Sequence, residues 1–251
     1  MTKSIHNHGF VGDPDAPSPL YFASSDLKAE VKLTFNVNFL TLATKGIVLG
    51  MVQKVSGKMT NGTISSTCWD ILGWTNTAPN PDFNRVCRSL VADRDAGGQK
   101  VPISYIQAFN RIRKNLSPAS DACVPDLINE ESQPVFVAEY LQRVNDIIWE
   151  RKFFSVVECS EAEMKQPLVR PGEHLIGLTS GDVRPGDLVC ILFGCSVPLV
   201  ISPFFRSKLF DTKVHGKLVD ECFVYGMMDG EAFQFKSDII LEDMSREIIL
   251  I

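Results

Sequence analysis

The spacing of hydrophobic positions changes along this chain and divides it into three stretches. "EVKLTFNV" and "LTLATKGIVLGMVQKV" alternate apolar with polar residues and are rich in β-branched side chains, which predicts strands at 30–37 and 39–55. Gly46 and Gly50 mark a bend or bulge in the second of them. A helical block follows. "STCWDILGW" and "DFNRVCRSLVAD" carry apolar residues at helical spacing. "VPISYIQAFNRIRKN" opens with Pro102 and lines up Ile103, Ile106, Phe109 and Ile112. "NLSPASDACVPDLINE", 115–130, is turn-rich and reads as a linker or variable loop. In "QPVFVAEYLQRVNDIIWERK" the residues Phe136, Tyr140, Val144, Ile147 and Ile148 form one stripe. Pro134 and the two preceding glutamates suit the start of that helix, and Arg151 and Lys152 its end.

From Phe153 the period becomes that of strands. "RKFFSVVE", "HLIGLTS", "DLVCILFG", "VPLVIS", "KLVDECFVYG" and "REIILI" are short runs divided by turns such as "VRPGD", "GCS" and "MMDGE", with a longer loop at 203–216. The pattern predicts an α+β fold in which a helical middle segment packs on a small antiparallel β-barrel or sandwich formed mainly by the C-terminal half. Residues 1–25, rich in Pro, Asp and Ser, read as a mobile lead-in. Segments 26–152 and 153–251 form one compact unit, and the early strands are expected to join the late sheet.

Composition narrows the classes of function. A chain of 251 residues with 45% hydrophobic and 22% charged residues can bury a real core. A net charge of -5 argues against nucleic acid as a partner, since phosphate binding needs a clustered basic surface. The densest basic group, Arg111, Arg113 and Lys114, closes a helix, where cations suit the carbonyl ends. No long apolar run predicts a signal peptide or a membrane span. The seven cysteines are therefore expected as reduced thiols in a cytoplasmic setting.

Candidate chemistry is sparse. In "DLVCILFG" Leu188, Cys190 and Leu192 share one face, and Val189, Ile191 and Phe193 the other, so the strand is expected to be buried on both sides. That makes Cys190 an inert core thiol; Cys195, in a hairpin turn, is expected to be more exposed. A nucleophile needs a base. His6 and His8 lie in the lead-in, His174 follows a Pro-Gly turn, His215 sits in a loop, and nothing in the pattern places any of them beside a cysteine. The C-x4-C of Cys190 and Cys195 has no second pair, so no metal and no cofactor is expected. Asp220, Glu221, Asp229 and Glu231 have the composition of an acid–base cluster. In a strand followed by an Asp-Gly turn they read more simply as outward polar positions and a turn aspartate. "DAGG", 95–98, reads as a turn.

Several blocks in fixed order carry a resemblance. They are Gly177-Leu178, Arg184-Pro185-Gly186-Asp187, Val189-Cys190 and Val197-Pro198, then Glu221 and Gly226-Met227-Met228-Asp229-Gly230-Glu231. Upstream, "LTLATKGIVLGMVQKVS" and "RVCRSLVADRDAGGQKVPISYIQAF" complete the set. Together these resemble the C-terminal region of fungal heterokaryon-incompatibility (HET) family proteins over roughly residues 20–251. Tyr225 stands where that family usually has His, and Asp220 where it often has Gly. The N-terminal HET domain, with its "YxALSYxWG" strand, is not in this sequence. The resemblance implies a fungal, intracellular protein of the self/non-self recognition class; with the lack of a convincing catalytic set, the expected function is a non-enzymatic regulatory or interaction module with a protein partner. The residues expected to bind that partner are Tyr225, Met227, Met228, Asp229 and Glu231. The alternative is an enzyme using the carboxylates near Asp229 and Glu231 or the thiol of Cys195.

Overall fold

The computed structural model describes residue 10 and residues 19–36, 39–77, 81–129, 133–158, 174–204, 213–234 and 238–251. Strands β1 (Lys32–Asn36) and β2 (Phe39–Val55) form an antiparallel pair, as their alternation predicts. β2 is long enough to serve two neighbours on each edge. Along one edge it pairs with β1 and then with β7 (Leu188–Leu192); along the other it pairs with β11 (Ser245–Leu250) and then with β5 (Lys152–Glu158). The register shifts between Val48 and Gly50 against β7, so the predicted irregularity at Gly50 is present. A side chain at Gly50 would meet the Val157 carbonyl oxygen at 2.2 Å, which is why the strands approach so closely here.

β6 (Leu175–Thr179) and β10 (Phe223–Val224) continue the sheet beyond β5. On the other side the pairing runs from β2 through β11, β9 (Lys213–Glu221), β8 (Leu199–Pro203) and β7, and returns to β2. Every pairing in the large sheet is antiparallel except β9 with β11, which is parallel. The sheet is therefore mixed, not antiparallel throughout. β9 and β11 are separated by β10 and by α6 (Asp238–Met244), a helix the sequence pattern did not predict, and this connection lets the chain re-enter in the same direction.

β7 is buried on both faces, as its unbroken apolar run predicts. Leu188, Cys190 and Leu192 join Val48, Ile201, Val214 and Ile248 in one cluster, drawn from one face of each strand on the returning path. Val189, Ile191 and Phe193 face the other way, into a second cluster with Leu49, Phe154, Val224 and Met227.

The helices are α1 (Ser66–Ile71), α2 (Phe83–Leu90), α3 (Ile103–Ile112), α4 (Val124–Ile128) and α5 (Val135–Ile148). Asp82 caps α2 by accepting from Asn84 N at 3.0 Å and Arg85 N at 3.1 Å. α5 packs chiefly on α3 and α4, while α1 and α2 touch β5 and β6. The helices thus cover the β5–β6–β10 end of the sheet, and α5 reaches it through the largest core cluster, which includes Phe153, Leu178 and Phe223. Edge-on aromatic contacts tie the helical segments to one another, with Trp69–Trp74 at 5.1 Å, Trp74–Phe83 at 5.6 Å and Tyr105–Tyr140 at 5.3 Å.

Two details of the helical reading change. The buried stripe of α3 is Tyr105, Ala108, Phe109 and Ile112; Ile103 is 77% exposed because it occupies the first turn, beyond the reach of the core. In α5 Val137 and Leu141 join the stripe, and Phe136 lies at its margin. Arg151 donates to the carbonyl of Ile147, as expected of a cation at a helix end. The glutamates expected at its start, Glu130 and Glu131, lie outside the described residues. The stretch 115–130 is not a plain linker: β4 (Ala122–Cys123) pairs with β3 (Thr63–Ile64), and α4 follows.

Most of the expected lead-in lies outside the described residues, but its described part is packed. Tyr21 and Ala23 are buried, Phe10 sits 6.2 Å from the Phe223 ring, and Ala23 N donates to Ser196 O at 2.9 Å. Apolar side chains in a polar stretch find a core that the local pattern does not display. Among the described residues no helix is long and apolar enough to cross a membrane.

Candidate functional site

Two loops distant in sequence meet at a cluster of charges. The first follows α2. Ala92 and Asp93 take left-handed conformations, with φ of 49° and 54°. Such residues cost on the order of 1 kcal/mol each and need external support. Support comes from Asp93 N, which donates to Arg88 O at 2.8 Å, and from Tyr21 Oη, which donates to Ala92 O at 2.5 Å. A tight turn follows, in which Asp95 Oδ1 accepts from Gly97 N at 2.9 Å and Gln99 N at 2.8 Å. This turn, foreseen at "DAGG", brings Lys100 back beside Arg94.

The second loop is 225–231. Gly226 and Gly230 have φ of 73° and 81°, so the chain reverses where only glycine is unstrained. Glu231 Oε2 accepts from Asp229 N at 2.6 Å, and Phe22 N donates to Met228 O at 2.8 Å. The Asp229 carboxylate then points at the first loop: Oδ1 accepts from Arg94 and Oδ2 from Lys100. Lys100 also contacts Asp93 at 3.1 Å, and Asp93 lies 3.4 Å from Arg88 Nε. The Arg94 side chain is 5% exposed and lies over the Tyr21 ring at 4.6 Å. Two carboxylates are thus interleaved with three cations in a partly dry setting.

Of the residues predicted to bind a partner, Asp229 and Glu231 meet this cluster and Tyr225 borders it. The Tyr225 phenol is half-buried beside Arg88; burial raises its pKa, and Arg88 opposes the rise. Met227 and Met228 do not fit the expectation. Both are buried, one in each of two core clusters, and Met228 Sδ accepts from Val224 N at 3.2 Å, so neither offers a contact surface. Nor is Asp229 an outward turn residue, because its charge is compensated inside the fold. Asp220 is likewise engaged, accepting from Thr179 Oγ1 at 3.0 Å and Ser180 Oγ at 2.7 Å, and Glu221 accepts from Phe10 N. Sequence reasoning missed Arg88, Asp93, Arg94 and Lys100. The available signal was the density of alternating charge in "RSLVADRDAGGQK", which is unusual for a plain turn.

The Lys100 ammonium is held above its ordinary pKa. Burial alone would lower it, but hydrogen bonds and charge at Asp229 and Asp93 outweigh that. Tyr21 and Tyr140 are raised as well, by burial. All three bind protons more tightly folded than unfolded, so their contribution is complete below the unfolded values and is lost as pH rises through the folded ones. The thermal midpoint should therefore fall above a pH of about 10. In Lys100→Met the fall should be smaller, which thermal scans across alkaline pH will measure.

Three of the described thiols are held away from the reactive thiolate. Burial pushes Cys87 up to about 12, holds Cys222 well above its ordinary value, and raises Cys195 with no cation to oppose it. Cys190 is fully buried and Cys195 partly exposed, as predicted. Alkylation of the native protein, mapped by mass spectrometry, should modify Cys123 and Cys195 well before Cys68, Cys87, Cys190 and Cys222. Rapid modification of Cys190 would contradict its place in the core. His174 Nε2 is 2.9 Å from Ile71 O, a structural contact. His6, His8 and Cys159 lie outside the described residues. Among the described residues no three His, Cys, Asp or Glu side chains gather to hold a metal ion. No protein-family model, no curated protein and no solved structure matches this chain.

Proposed function

We propose that the chain is a non-enzymatic interaction module of a heterokaryon-incompatibility-like, self/non-self recognition protein, acting in the cytoplasm on a protein partner. The observation that carries the interaction role is β1, whose residues Lys32 to Phe35 are all exposed although they lie in a strand, as is Val31 just before it. Val31, Leu33 and Phe35 are 50%, 58% and 80% exposed and share one face, continued by Leu40 opposite Phe35. An apolar strand with an open edge is a standard means of protein recognition by strand addition. The charged groups near Asp229, by contrast, are spent on holding two loops together.

The recognition class rests on the sequence resemblance. It gains support from the meeting of two of its blocks, "RVCRSLVADRDAGGQK" and "GMMDGE", at the Arg94–Asp229 and Lys100–Asp229 pairs. We also infer that β2, β11, β9, β8 and β7 make a small barrel. The returning path of pairings and the single apolar cluster drawn from those strands support it.

Expression in fungal cells carrying an incompatible partner tests the reading. Leu33→Lys with Phe35→Lys should abolish growth arrest while leaving thermal unfolding unchanged. Full growth arrest by that variant, with loss on Asp229→Asn at a temperature where the protein stays folded, would move the site to the charge cluster and refute this proposal.

A further inference from the structure

We propose that the open edge of β1, together with the residues that lead into it, pairs with the same stretch of a second copy of this chain, antiparallel about a two-fold axis at Val31, so that β1 of each copy lies beside the lead-in of the other. The proposal rests on the interaction reading above and names its partner. β1 is bonded to β2 along one side, and among the described residues no strand pairs with the other. Exposure is continuous over residues 28–35, so both the chain edge and its apolar face are open.

The side chains select the partner. From Leu27 to Phe35 every odd position is apolar (Leu27, Ala29, Val31, Leu33, Phe35), and every even one is polar. The charges on the even positions alternate in sign: Lys28, Glu30, Lys32. With Val31 opposite its own copy, Glu30 faces Lys32 twice across the axis. Ala29 then faces Leu33, while Leu27, packed on the second core cluster, lies at the margin of the seam. Moving the axis by one residue sets Glu30 against Glu30 or Lys32 against Lys32, and like charges directly opposite are destabilising. Charge complementarity therefore favours a second copy in one register over a slipped one. A lone lysine on an edge strand usually repels added strands. Here Glu30, two residues away, supplies its complement in an antiparallel copy. Gly194 lets the approach to β1 lie close to the body: a side chain there would come within 2.7 Å of Ala29 Cβ.

Sedimentation of the full chain over a range of concentrations, with amide hydrogen exchange of residues 31–36 on the same samples, tests the proposal. The wild type should show a monomer–dimer equilibrium with β1 amides protected in the dimer. K32E places Glu against Glu at two symmetric positions and should weaken the dimer about tenfold or more. E30K/K32E restores opposite charges and should restore the dimer, which separates pairing from any damage to folding. A dimer unaffected by K32E overturns the proposal, and so does a monomer at every concentration. In the monomer, rapid exchange of the β1 amides that point away from β2 would leave the edge open to a different protein and the interaction reading standing. Protection, in a monomer, of the amides that point away from β2 would mean that the chain's own residues cover the edge, and both readings would fail.

Discussion

Asp229→Asn should destabilise the folded chain by about 2 kcal/mol, although the position looks like an ordinary turn residue in sequence. The reason is Arg94. Its side chain is 5% exposed and reaches Asp229 through Nη2, while its Nη1 and Nε are taken by the carbonyls of Asp93 at 3.0 Å and Leu20 at 3.3 Å. Removing the carboxylate charge takes the hydrogen-bonded counter-ion from a buried guanidinium and leaves only Asp93, 3.9 Å from Nη1; breaking a pair in which both partners are dry costs about 3–5 kcal/mol. Asp229 keeps 26% of its side-chain exposure, so water relieves part of the loss and the lower figure is expected. Lys100, more exposed at 53%, adds little by comparison. Glu231→Gln is the control: the amide oxygen can still accept from Asp229 N, and the change should stay within about 0.5 kcal/mol. Urea unfolding measures both. A shift in midpoint without a change in slope for Asp229→Asn supports the buried pair; a shift as small as that of Glu231→Gln would mean that the two loops are held together by something else.

A larger loss is expected at Gly177. It lies opposite Phe154 in the β5–β6 pair, and the Phe154 ring lies across it. A Cβ placed on Gly177 would stand 2.1 Å from Phe154 Cζ and 2.3 Å from Cε2. Phe154 is fully buried in the cluster that also holds Leu49, Val156 and Ile191, so its ring has no free space to enter. Gly177→Val should therefore cost about 3 kcal/mol or more, at the upper end of overpacking effects. Phe154→Leu alone should cost on the order of 1–2 kcal/mol through lost packing. The double variant should be more stable than the sum of the two, because a smaller side chain at 154 makes room for the valine. Strict additivity would show that the ring does not occupy the space over Gly177.

What could be read directly from the chain was local. The double-faced burial of β7, the irregularity at Gly50, the turn at "DAGG" and the cation at the end of α5 each follow from neighbouring residues. Period, β-branching and glycine act over a few positions, and a pattern of that range survives whatever packs against it. The same range explains the misses. Ile103 has the spacing of a core residue, yet it sits in the first turn of α3, past the edge of the layer that would bury it. Tyr21 and Ala23 lie in a polar stretch and are buried because Ser196 and Met228, far along the chain, come to meet them.

Sequence by itself determined the α+β alternation, the place where helical spacing yields to strand spacing, and the burial of Cys190. These depend on side-chain type and period. Tertiary structure alone decided that β9 and β11 run parallel and that β2 pairs along both edges. It also decided that Met227 and Met228 face the cores and that Asp229 is an internal counter-ion. Each of these depends on which surfaces meet, and Arg94 and Asp229 are 135 positions apart. The sequence shows that both are charged. Whether a charge faces water or an opposite charge is set by the dielectric and geometry around it, which exist only once the loops have closed.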